Sequence, residues 1–257
     1  MQISVRQLTD KEFEQYCAIV YAECGIHLTD EKRQLLNARI GKRLRNLGVE
    51  ADEYMRIIEQ NAEERCRFVD AISTNHTFFF REPKSFRYID QTCRNIWCAA
   101  ASSGEEPYSL AAYSHIRNIQ VSIWATDIST TCLEKARKGI YPISSKENIP
   151  PDVLKKGFQK GCNQWTGFMR VRPAIQNMVQ FGRFNLLHGE LPDRVFDIIF
   201  CRNVMIYFDS QTKEKVVRNL ISVLRPRGYF IIGGAESLNG LDHPLKYVEP
   251  SVYQKNG

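Results

Sequence analysis

Three short polar segments each follow an apolar run that has the composition of a β-strand. In the first, SSGEEPYS, Gly104 leaves room for a ligand to approach the backbone closely. The second contains Asp127, 23 residues after Gly104, and an acidic residue at about this distance typically accepts hydrogen bonds from ribose hydroxyls. The third places Arg202 and Asn203 after VFDIIF. Because ligands bind at the carboxyl ends of parallel strands, the three segments together predict a site for a nucleoside-containing ligand.

Each of these signals also has an ordinary structural interpretation. An aspartate at a strand end, such as Asp127, is often a helix cap, and a single glycine is not a dinucleotide fingerprint. The chain contains no complete GxGxxG, which disfavours NAD, and no GxxxxGK followed by Ser or Thr, which disfavours ATP. The eight cysteines include no CxxC pair, and the five histidines form no HxxxH or HExxH cluster. We therefore predict no metal site, and free thiols rather than disulfides.

The elements that would hold these segments in place alternate between strands and helices. We predict strands in NIWCAA, VSIWATDI, MVQFGRF, VFDIIFCRN and GYFIIGG, and helices over residues 104–116, 130–138 and 211–224. Such alternation is typical of an α/β fold with a mostly parallel, Rossmann-like sheet covered by helices on both faces. Residues 155–177 interrupt it with the alternating stretch GFMRVRP, which we interpret as a small antiparallel β insertion.

The first part of the chain, residues 1–74, predicts a small helical domain instead. One helix is expected to begin at Asp30, with Thr29 as its cap, and to end at Gly48. Four apolar residues share one face of it at helical spacing: Leu36, Ile40, Leu44 and Leu47. Three basic residues lie off that face: Arg39, Lys42 and Arg45. Both a solvated basic surface and a docking surface for an acidic helix are compatible with this pattern.

Composition sets limits on the class of protein. A chain of 257 residues that is 43% hydrophobic and 25% charged is typical of a globular protein. It lacks the run of about 18 apolar residues that a membrane-spanning helix needs. The N-terminal sequence lacks the apolar core of a signal peptide, so we expect a cytoplasmic protein. The net charge of +6 permits an acidic partner but does not require one.

Five sequence segments occur in the order in which one enzyme family has them. They are STNHTFFFREPKSF (73–86), IWCAAASSGEEPYSLA (96–111), ATDISTTCLEKARKGIYP (125–142), FNLL (184–187) and FDIIFCRNVMIYFD (196–209). With them the chain closely resembles the CheR family of chemotaxis receptor glutamate methyltransferases over nearly its whole length. The resemblance implies a class I methyltransferase with a helical domain over 1–74, an interdomain segment over 75–94 and a methyltransferase domain over 95–257 that carries the insertion 155–177.

The resemblance also implies a donor, an acceptor and a set of site residues. The donor would be S-adenosylmethionine (SAM), with S-adenosylhomocysteine as product, and the acceptors would be receptor glutamate carboxylates. By motif position, nine residues would line the donor site: Asn75, Thr77, Arg81, Glu105, Asp127, Asn185, Leu186, Arg202 and Asn203. Of these, Glu105 and Asp127 would hold the amino-acid and ribose portions of the donor, and Asn185 and Leu186 would flank its adenine.

The implied partners are the cytoplasmic helical region of chemotaxis receptors and a receptor C-terminal tail peptide, the latter bound through the β insertion. We expect no nucleic-acid partner, no membrane insertion and a monomer. The chain departs from the family near its end, where many members have a GHSE-like motif and this sequence reads GGAES (233–237). This departure puts a role for a histidine there in doubt.

The implied chemistry needs no general base. A glutamate carboxylate has a pKa of about 4.3 and is already an anion near neutral pH. We predict Arg81 to orient the acceptor carboxylate through paired hydrogen bonds, with a surface pair to Glu82 or donor binding as alternatives. Tyr207 is the second predicted catalytic residue, with packing in the core as its alternative. The aromatic run Phe78–Phe80 is expected to pack, or to shield the donor.

Two other functions remain as alternatives. Methylation of a nucleic acid is compatible with the net charge, but the chain lacks the Asp/Asn-Pro-Pro-Tyr/Phe motif of many amino-methylating enzymes. Its helical domain also lacks a dense basic stripe for tracking phosphates. A module that binds donor or receptor without catalysis is disfavoured by the presence of Arg81, Asp127, Arg202 and Asn203.

Overall fold

The structure, a computed structural model, describes residues 7–73 and 75–257. Residues 1–6 and 74, which the predicted helical domain 1–74 includes, lie outside the described residues. No helix in the described part of the chain has both the length and the apolar character needed to cross a membrane.

The chain divides into two compact units. The first contains the N-terminal helices and the short segment Tyr207–Thr212. The second comprises Asn75–Ile206 and Lys213–Gly257, so the predicted interdomain segment 75–94 is part of it. Two separate stretches of the sequence therefore contribute to each unit.

The first unit is helical, as predicted. Its helices are α1 (Asp10–Cys24), α2 (Arg33–Leu47), α3 (Ala51–Gln60) and α4 (Ala62–Ile72). The helix predicted to start at Asp30 begins instead at Arg33, because Asp30–Lys32 form a separate 3-10 turn. Thr29 makes no side-chain cap there. Gly48 does end α2 in the left-handed conformation, and its N–H bonds to the carbonyl of Leu44.

The core of this unit combines aliphatic and aromatic side chains. Of the four apolar residues predicted to share one face of α2, Leu36, Ile40 and Leu44 are buried, whereas Leu47 in its last turn is 40% exposed. Three fully buried rings pack against one another with centroids 5.8–6.4 Å apart: Tyr16, Tyr54 and Phe68. The Tyr16 hydroxyl donates to the carbonyl of Ala51, so burial of this ring leaves no unpaired hydroxyl.

A buried carboxylate ties α2, α3 and α4 together. Glu64 accepts two hydrogen bonds from Nη2 of Arg43, at 2.5 and 2.6 Å, and one from the hydroxyl of Tyr54 at 2.8 Å. Arg39 is also used within the unit, since it donates to the carbonyls of Ala71 and Ser73 at the end of α4. Of the three basic residues predicted off the apolar face, only Lys42 and Arg45 are exposed.

Replacing Arg43 with Met tests the importance of this network. Only 5% of the Glu64 side chain is exposed, and without Arg43 its nearest cation is Arg67, 3.9 Å away. The buried charge would be poorly compensated, and we expect the free energy of unfolding to fall by roughly 3 kcal/mol. Arg45→Met, on the same helix but exposed, is the matched control and should change stability by less than about 0.5 kcal/mol. Urea unfolding of both variants measures the difference, and equal stabilities would contradict the role given to Arg43.

The second unit is built on a seven-stranded sheet with the order β6-β2-β1-β7-β8-β10-β9. Its strands are β1 (Asn95–Cys98), β2 (Ser122–Asp127), β6 (Val179–Arg183), β7 (Phe196–Phe200), β8 (Leu224–Ile231), β9 (Leu245–Glu249) and β10 (Val252–Lys255). The five strands from β6 to β8 are parallel, and β10 and β9 continue the sheet antiparallel. The predicted mostly parallel sheet is thus confirmed.

Five helices connect these strands. They are α5 (Glu105–Ile116), α6 (Thr130–Lys138), α7 (Pro151–Gly157), α8 (Pro173–Gln176) and α9 (Ser210–Ser222). Four 3-10 turns accompany them at Pro83–Tyr88, Ile143–Lys146, Asn163–Trp165 and Met205–Tyr207. Helix α9 ends two residues before the predicted end at Leu224, which is already the first residue of β8.

The strand order places one edge of the sheet where a ligand is expected. From β1 the chain moves through β2 to β6 on one side, and it then returns to β7 and β8 on the other side. The order therefore reverses at β1, and ligands of such sheets bind beyond the carboxyl ends of the strands at this point. Every residue of β7, FDIIF, is buried, which explains why four of its five residues are apolar. The exception, Asp197, accepts the backbone N–H groups of Arg94 and Asn95.

The small antiparallel insertion is present but begins earlier than predicted. Its sheet has the order β3-β5-β4, formed by β3 (Ile140–Pro142), β4 (Phe158–Lys160) and β5 (Phe168–Val171). Strand β3 precedes the predicted range 155–177. The motif GIYP, placed after α6 in the sequence, therefore contributes a strand to the insertion.

Candidate active site

Asp127, the last residue of β2, connects two loops of the candidate site. One carboxylate oxygen accepts the N–H of Ser102 at 2.7 Å, and the other accepts the N–H of Ser129 at 2.9 Å. Strands β1 and β2 are parallel and in register, which brings the loop after β1 next to Asp127. Ser129, not Asp127, is the N-cap of α6, since its hydroxyl accepts the N–H of Cys132. Asp127 therefore contacts the residue that caps α6 and the loop after β1 at the same time.

Gly104 lies at the start of α5 with φ of 96°, in the left-handed region. A Cβ added here would lie 2.8 Å from Cβ of Ala136 and 2.9 Å from the hydroxyl of Tyr141. That hydroxyl donates to the carbonyl of Ser103 at 2.7 Å. The close approach that needs a glycine is thus an approach to α6 and β3, and it fixes the loop that precedes Glu105.

Glu105 is the first residue of α5 and is 8% exposed. Its carboxylate accepts the hydroxyl of Ser103 at 2.7 Å. Burial raises the pKa of Glu105 above the ordinary value, and the Ser103 hydroxyl opposes this only in part. A carboxylate in this position at a helix N-terminus suits a cationic ligand group that replaces its lost hydration.

Arg202 lies in a buried ionic network at the end of β7. Its guanidinium donates to Glu106 at 2.7 Å, to Glu82 at 2.8 Å and to the carbonyl of Arg81 at 2.8 Å. Only 2% of the Arg202 side chain is exposed. Its Nε is buried and has no acceptor among the described residues. Both Nη atoms of the guanidinium that is predicted to contact the donor therefore form hydrogen bonds to protein groups.

The two carboxylates in this network have opposite pKa shifts. Burial raises the pKa of Glu106 and outweighs the effect of Arg202. Burial also raises the pKa of Glu82, but its bonds to Arg202 and to the N–H of Gly234 outweigh this and leave its pKa below the ordinary value. The difference follows from solvent exposure, since 39% of the Glu82 side chain is exposed against 12% for Glu106.

The backbone around Arg81 is held in an unusual conformation. Phe80 and Glu82, on either side of it, have φ of 55° and 49°, a region that costs non-glycine residues about 1–3 kcal/mol each. The Phe80 N–H donates to the hydroxyl of Ser109 at 2.9 Å, which anchors this turn to α5. The Arg81 guanidinium donates to the carbonyl of His76 at 3.1 Å.

The Arg81 side chain also forms an ion pair with Glu82, which the sequence suggested as one alternative role for this arginine. Its Nε lies 3.8 Å from Oε1 of Glu82, and its guanidinium lies 5.6 Å from the centre of the Phe78 ring. The side chain remains 25% exposed. Phe79 and Phe80 are buried, which agrees with the packing role expected for the aromatic run.

Asn203 lies in the loop after β7 and has φ of 57°. Its N–H donates to the carboxylate of Glu236 at 2.9 Å, and Glu236 belongs to the GGAES segment. Asparagine is one of the few residues that adopt this left-handed conformation readily. The loop thus has a conformation that its sequence favours and a carboxylate that fixes it.

Four other predicted site residues are also in the second unit. Asn75 is exposed and its carbonyl accepts the Ser102 hydroxyl at 3.4 Å, next to the backbone that binds Asp127. The Asn185 side chain accepts the N–H of Leu187 at 2.9 Å, so it shapes the FNLL turn. Thr77 and Leu186 are half-buried.

Tyr207 belongs to the first unit. Its carbonyl accepts the N–H of His27 at 2.8 Å, and Nζ of Lys32 lies 4.7 Å from the centre of its ring. Tyr207 is half-buried, so it is not a core residue.

Sequence reasoning missed three acidic residues that organise the candidate site: Glu82, Glu106 and Glu236. Each lies next to or within a segment that the sequence singled out, namely FFFRE, GEEPYS and GGAES. Their place in these motifs was the available signal, because a carboxylate that becomes buried on folding requires a partner. Among the described residues, no group of His, Cys, Asp and Glu is arranged to hold a metal ion.

A comparison of two glycines tests the packing role of Gly104. Gly104→Ala adds both backbone strain and the overlap with Ala136 and Tyr141, so the free energy of unfolding should fall by about 1–3 kcal/mol more than in the control. Gly167→Ala is that control, since Gly167 has a similar φ of 90° but no atom within 4 Å of an added Cβ. Thermal or urea unfolding measures both, and equal losses would show that the contacts of Gly104 are unimportant.

Comparison with known proteins assigns both parts of the chain to one family. The family model for the CheR methyltransferase all-alpha domain matches residues 11–73, and that for the CheR methyltransferase SAM-binding domain matches residues 75–253. A chemotaxis protein methyltransferase of Salmonella typhimurium is 38% identical over 96% of this chain and 90% of the relative. That of Escherichia coli is 36% identical, over 96% and 91%. That of Borreliella burgdorferi is 34% identical, over 97% and 95%.

The two family models together span most of both compact units. The chain is therefore a member of the CheR methyltransferase family, with S-adenosylmethionine as its cofactor.

Proposed function

We propose that the protein transfers a methyl group from SAM to glutamate side chains of chemotaxis receptors and forms glutamate methyl esters. The observation that carries the proposal is the near-complete match to relatives named chemotaxis protein methyltransferases. The proposal adds to this the acceptor groups, which are glutamate side chains of the receptors. They follow from the family resemblance and from the chemistry of the site.

The residues of the candidate site fit SAM as donor. SAM supplies the methyl group on a positively charged sulfonium and also carries an ammonium, a carboxylate and a ribose. Glu105, buried at the start of α5, suits the ammonium, and Asp127 at the end of β2 suits the ribose hydroxyls. In our proposal Asn185 and Leu186 flank the adenine. The buried Nε of Arg202 supports a ligand contact there, because a buried donor without an acceptor is costly.

The remaining donor-site residues lie on the two loops that the ionic network holds. In our proposal Asn75 and Thr77 contact the donor from the segment before Arg81, and Asn203 contacts it from the loop after β7. The acidic groups of the site, Glu105, Asp127 and Glu106 among them, favour a cationic donor over its neutral product. This difference in charge helps the product to leave.

Methyl transfer to a carboxylate requires positioning more than proton transfer. A receptor glutamate is ionised near neutral pH, and one of its oxygens forms the new bond to carbon as the sulfur–carbon bond breaks. The electron pair of that bond stays on sulfur, so no proton is taken up or released. Holding the two groups in line contributes up to about 7–11 kcal/mol in favourable cases. Residues that fix side-chain orientation are therefore the ones to examine.

Arg81 and Tyr207 are the proposed catalytic residues. Arg81 pairs with the acceptor carboxylate, and its strained, anchored backbone limits the positions that its guanidinium can adopt. The 25% exposure of its side chain leaves it accessible to a protein substrate. For Tyr207, in the first unit, the proposal rests on its place in the NVMIYF motif.

We propose that the β insertion binds a receptor tail peptide. In the described part of the chain β3 and β4 each pair only with β5, so each has an edge at which an extended peptide can add a strand. Trp165 and Phe168 are 48% and 39% exposed and lie edge to face, with ring centres 6.2 Å apart. Exposed aromatic pairs of this kind suit hydrophobic side chains of a peptide.

Incubation with labelled SAM and receptor-containing membranes tests the proposed activity. We expect label on the receptor that is released by mild base, because a carboxyl methyl ester hydrolyses under these conditions. Receptors with and without their C-terminal tails should differ in the rate of labelling if the insertion binds the tail. Base-stable label would exclude carboxylate methylation, and labelled nucleic acid in a parallel sample would favour the alternative substrate.

Arg81→Ala tests whether Arg81 orients the acceptor carboxylate. It should lose turnover while its dissociation constant for SAM, measured by calorimetry, stays close to that of the unmodified protein. A large loss of SAM affinity would assign Arg81 to donor binding instead. Arg94→Ala is a suitable control, because Arg94 is exposed just before β1 and its guanidinium donates to the carbonyls of Gln91 and Cys93 in its own turn.

The raised pKa of Glu105 predicts a pH dependence of SAM binding. In the free protein the protonated form persists to a higher pH than in an ordinary glutamate. Protonated Glu105 cannot pair with the donor ammonium, so SAM affinity should rise as pH rises through this raised pKa. Glu105→Gln should bind SAM weakly and lose this part of the pH dependence.

Calorimetric titrations at several pH values measure the effect. Glu134→Gln, on the exposed side of α6, is the control and should keep the pH dependence. The carboxyl of Glu106 also has a raised pKa, so a pH dependence unchanged in Glu105→Gln would assign the effect to Glu106 and contradict the role of Glu105.

A further inference from the structure

One carboxylate in the second unit collects four backbone N–H groups. Oε2 of Glu236 accepts those of Gly233 at 2.6 Å and Asn203 at 2.9 Å. Oε1 accepts those of Met205 at 2.7 Å and Ile206 at 3.3 Å. Each carboxylate oxygen can accept two such bonds, and bonds to an ionised acceptor are stronger than neutral ones. Glu236 thus uses both oxygens on the backbone and is not available as a general base.

These bonds fix the course of the loop after β7. Three of the four N–H groups belong to residues 203–206, and no regular element of the sheet supplies them with acceptors. With Asn203 in the left-handed conformation, the N–H groups converge on one point, which is the arrangement that binds an anion. Without Glu236, the loop would have to exchange these bonds for water and would lose the single conformation that the carboxylate imposes.

Gly233 packs closely against Asn203. A Cβ at Gly233 would lie 2.4 Å from Nδ2 of Asn203 and 2.9 Å from its backbone nitrogen. The amide of Asn203 therefore packs directly on the backbone of the GGAES segment. That segment supplies both the space, through Gly233, and the charge, through Glu236.

We propose that Glu236 is a positioning residue that holds Asn203 in the orientation in which it binds SAM. The inference rests on the proposed role of Asn203 in donor binding and goes beyond it, because Glu236 acts through the backbone and does not itself contact the donor. In the position where many family members have a GHSE-like motif, the glutamate of GGAES then has a defined task that needs no histidine.

Glu236→Gln is the test variant, with Glu134→Gln as the matched control. The glutamine keeps the length of the side chain but offers one acceptor oxygen in place of two. Hydrogen exchange, measured by mass spectrometry without SAM, should show faster exchange in the segment 203–206 of the variant. The dissociation constant for SAM should rise by about tenfold or more, and the control should match the unmodified protein in both measurements.

Two further variants separate positioning from charge and from general destabilisation. Glu236→Asp keeps the charge but shortens the side chain, so we expect it also to lose SAM affinity. Asn203→Gly removes the amide and tolerates the left-handed φ. In the double variant Glu236→Gln with Asn203→Gly, the loss of affinity should be no greater than in Asn203→Gly alone, because both changes remove the same contact.

Three outcomes would overturn the proposal. They are unchanged exchange in 203–206, unchanged SAM affinity in Glu236→Gln below its melting temperature, and additive losses in the double variant. Normal affinity of Glu236→Asp for SAM would also contradict the proposal, because it would show that the negative charge matters and the length of the side chain does not. If the unmodified protein binds SAM but does not methylate receptors, the proposed function fails while this inference stands. The hydrogen-exchange measurement needs neither SAM nor a receptor, so failure of this inference and failure of the proposed function are distinguishable.

Discussion

The arrangement of the candidate site depends on one buried cation. Arg202 is almost fully buried, and removing a guanidinium from water is costly unless acceptors surround it. Here they come from two separate parts of the chain: Glu106 at the start of α5, and the adjacent residues Arg81, through its carbonyl, and Glu82. Because the loss of any one acceptor would leave a buried charge poorly compensated, the end of β7, the start of α5 and the segment that carries Arg81 are fixed relative to one another.

Other loops of the site are fixed by the same kind of interaction, with a backbone amide in place of the guanidinium. Asp127 binds the N–H groups of Ser102 and Ser129, Glu82 binds that of Gly234, and Glu236 binds four. Loops have few bonds of their own, so a carboxylate that accepts several N–H groups gives them a single conformation. The result is a site that is rigid at the backbone and acidic, which suits a cationic donor and a reaction that depends on alignment.

The parts that the sequence predicted well are those set by local patterns. The strands NIWCAA, VSIWATDI and VFDIIFCRN match β1, β2 and β7, because buried parallel strands are rich in apolar residues and the sequence shows this enrichment directly. The hairpin of β9 and β10 was missed, and most of β9 is exposed, so it has no apolar pattern to detect. The start of α2 and the first strand of the insertion were misplaced, because a 3-10 turn and a three-residue strand give weak local signals.

By itself the sequence determined the fold class, the family and the loops that form the site. Residue spacing and the order of the motifs can be read directly from the sequence, without a structure. Only the tertiary structure decided what individual side chains do. Arg202 pairs with carboxylates of other segments, and Glu236 accepts the N–H of Asn203. The missing side chain of Gly104 allows the close approach of Ala136 and Tyr141. The partners of Arg202 lie 96 and 120 residues away in the chain. A buried charge must find a counter-charge, but which one it finds depends on the loops that the folded sheet brings together.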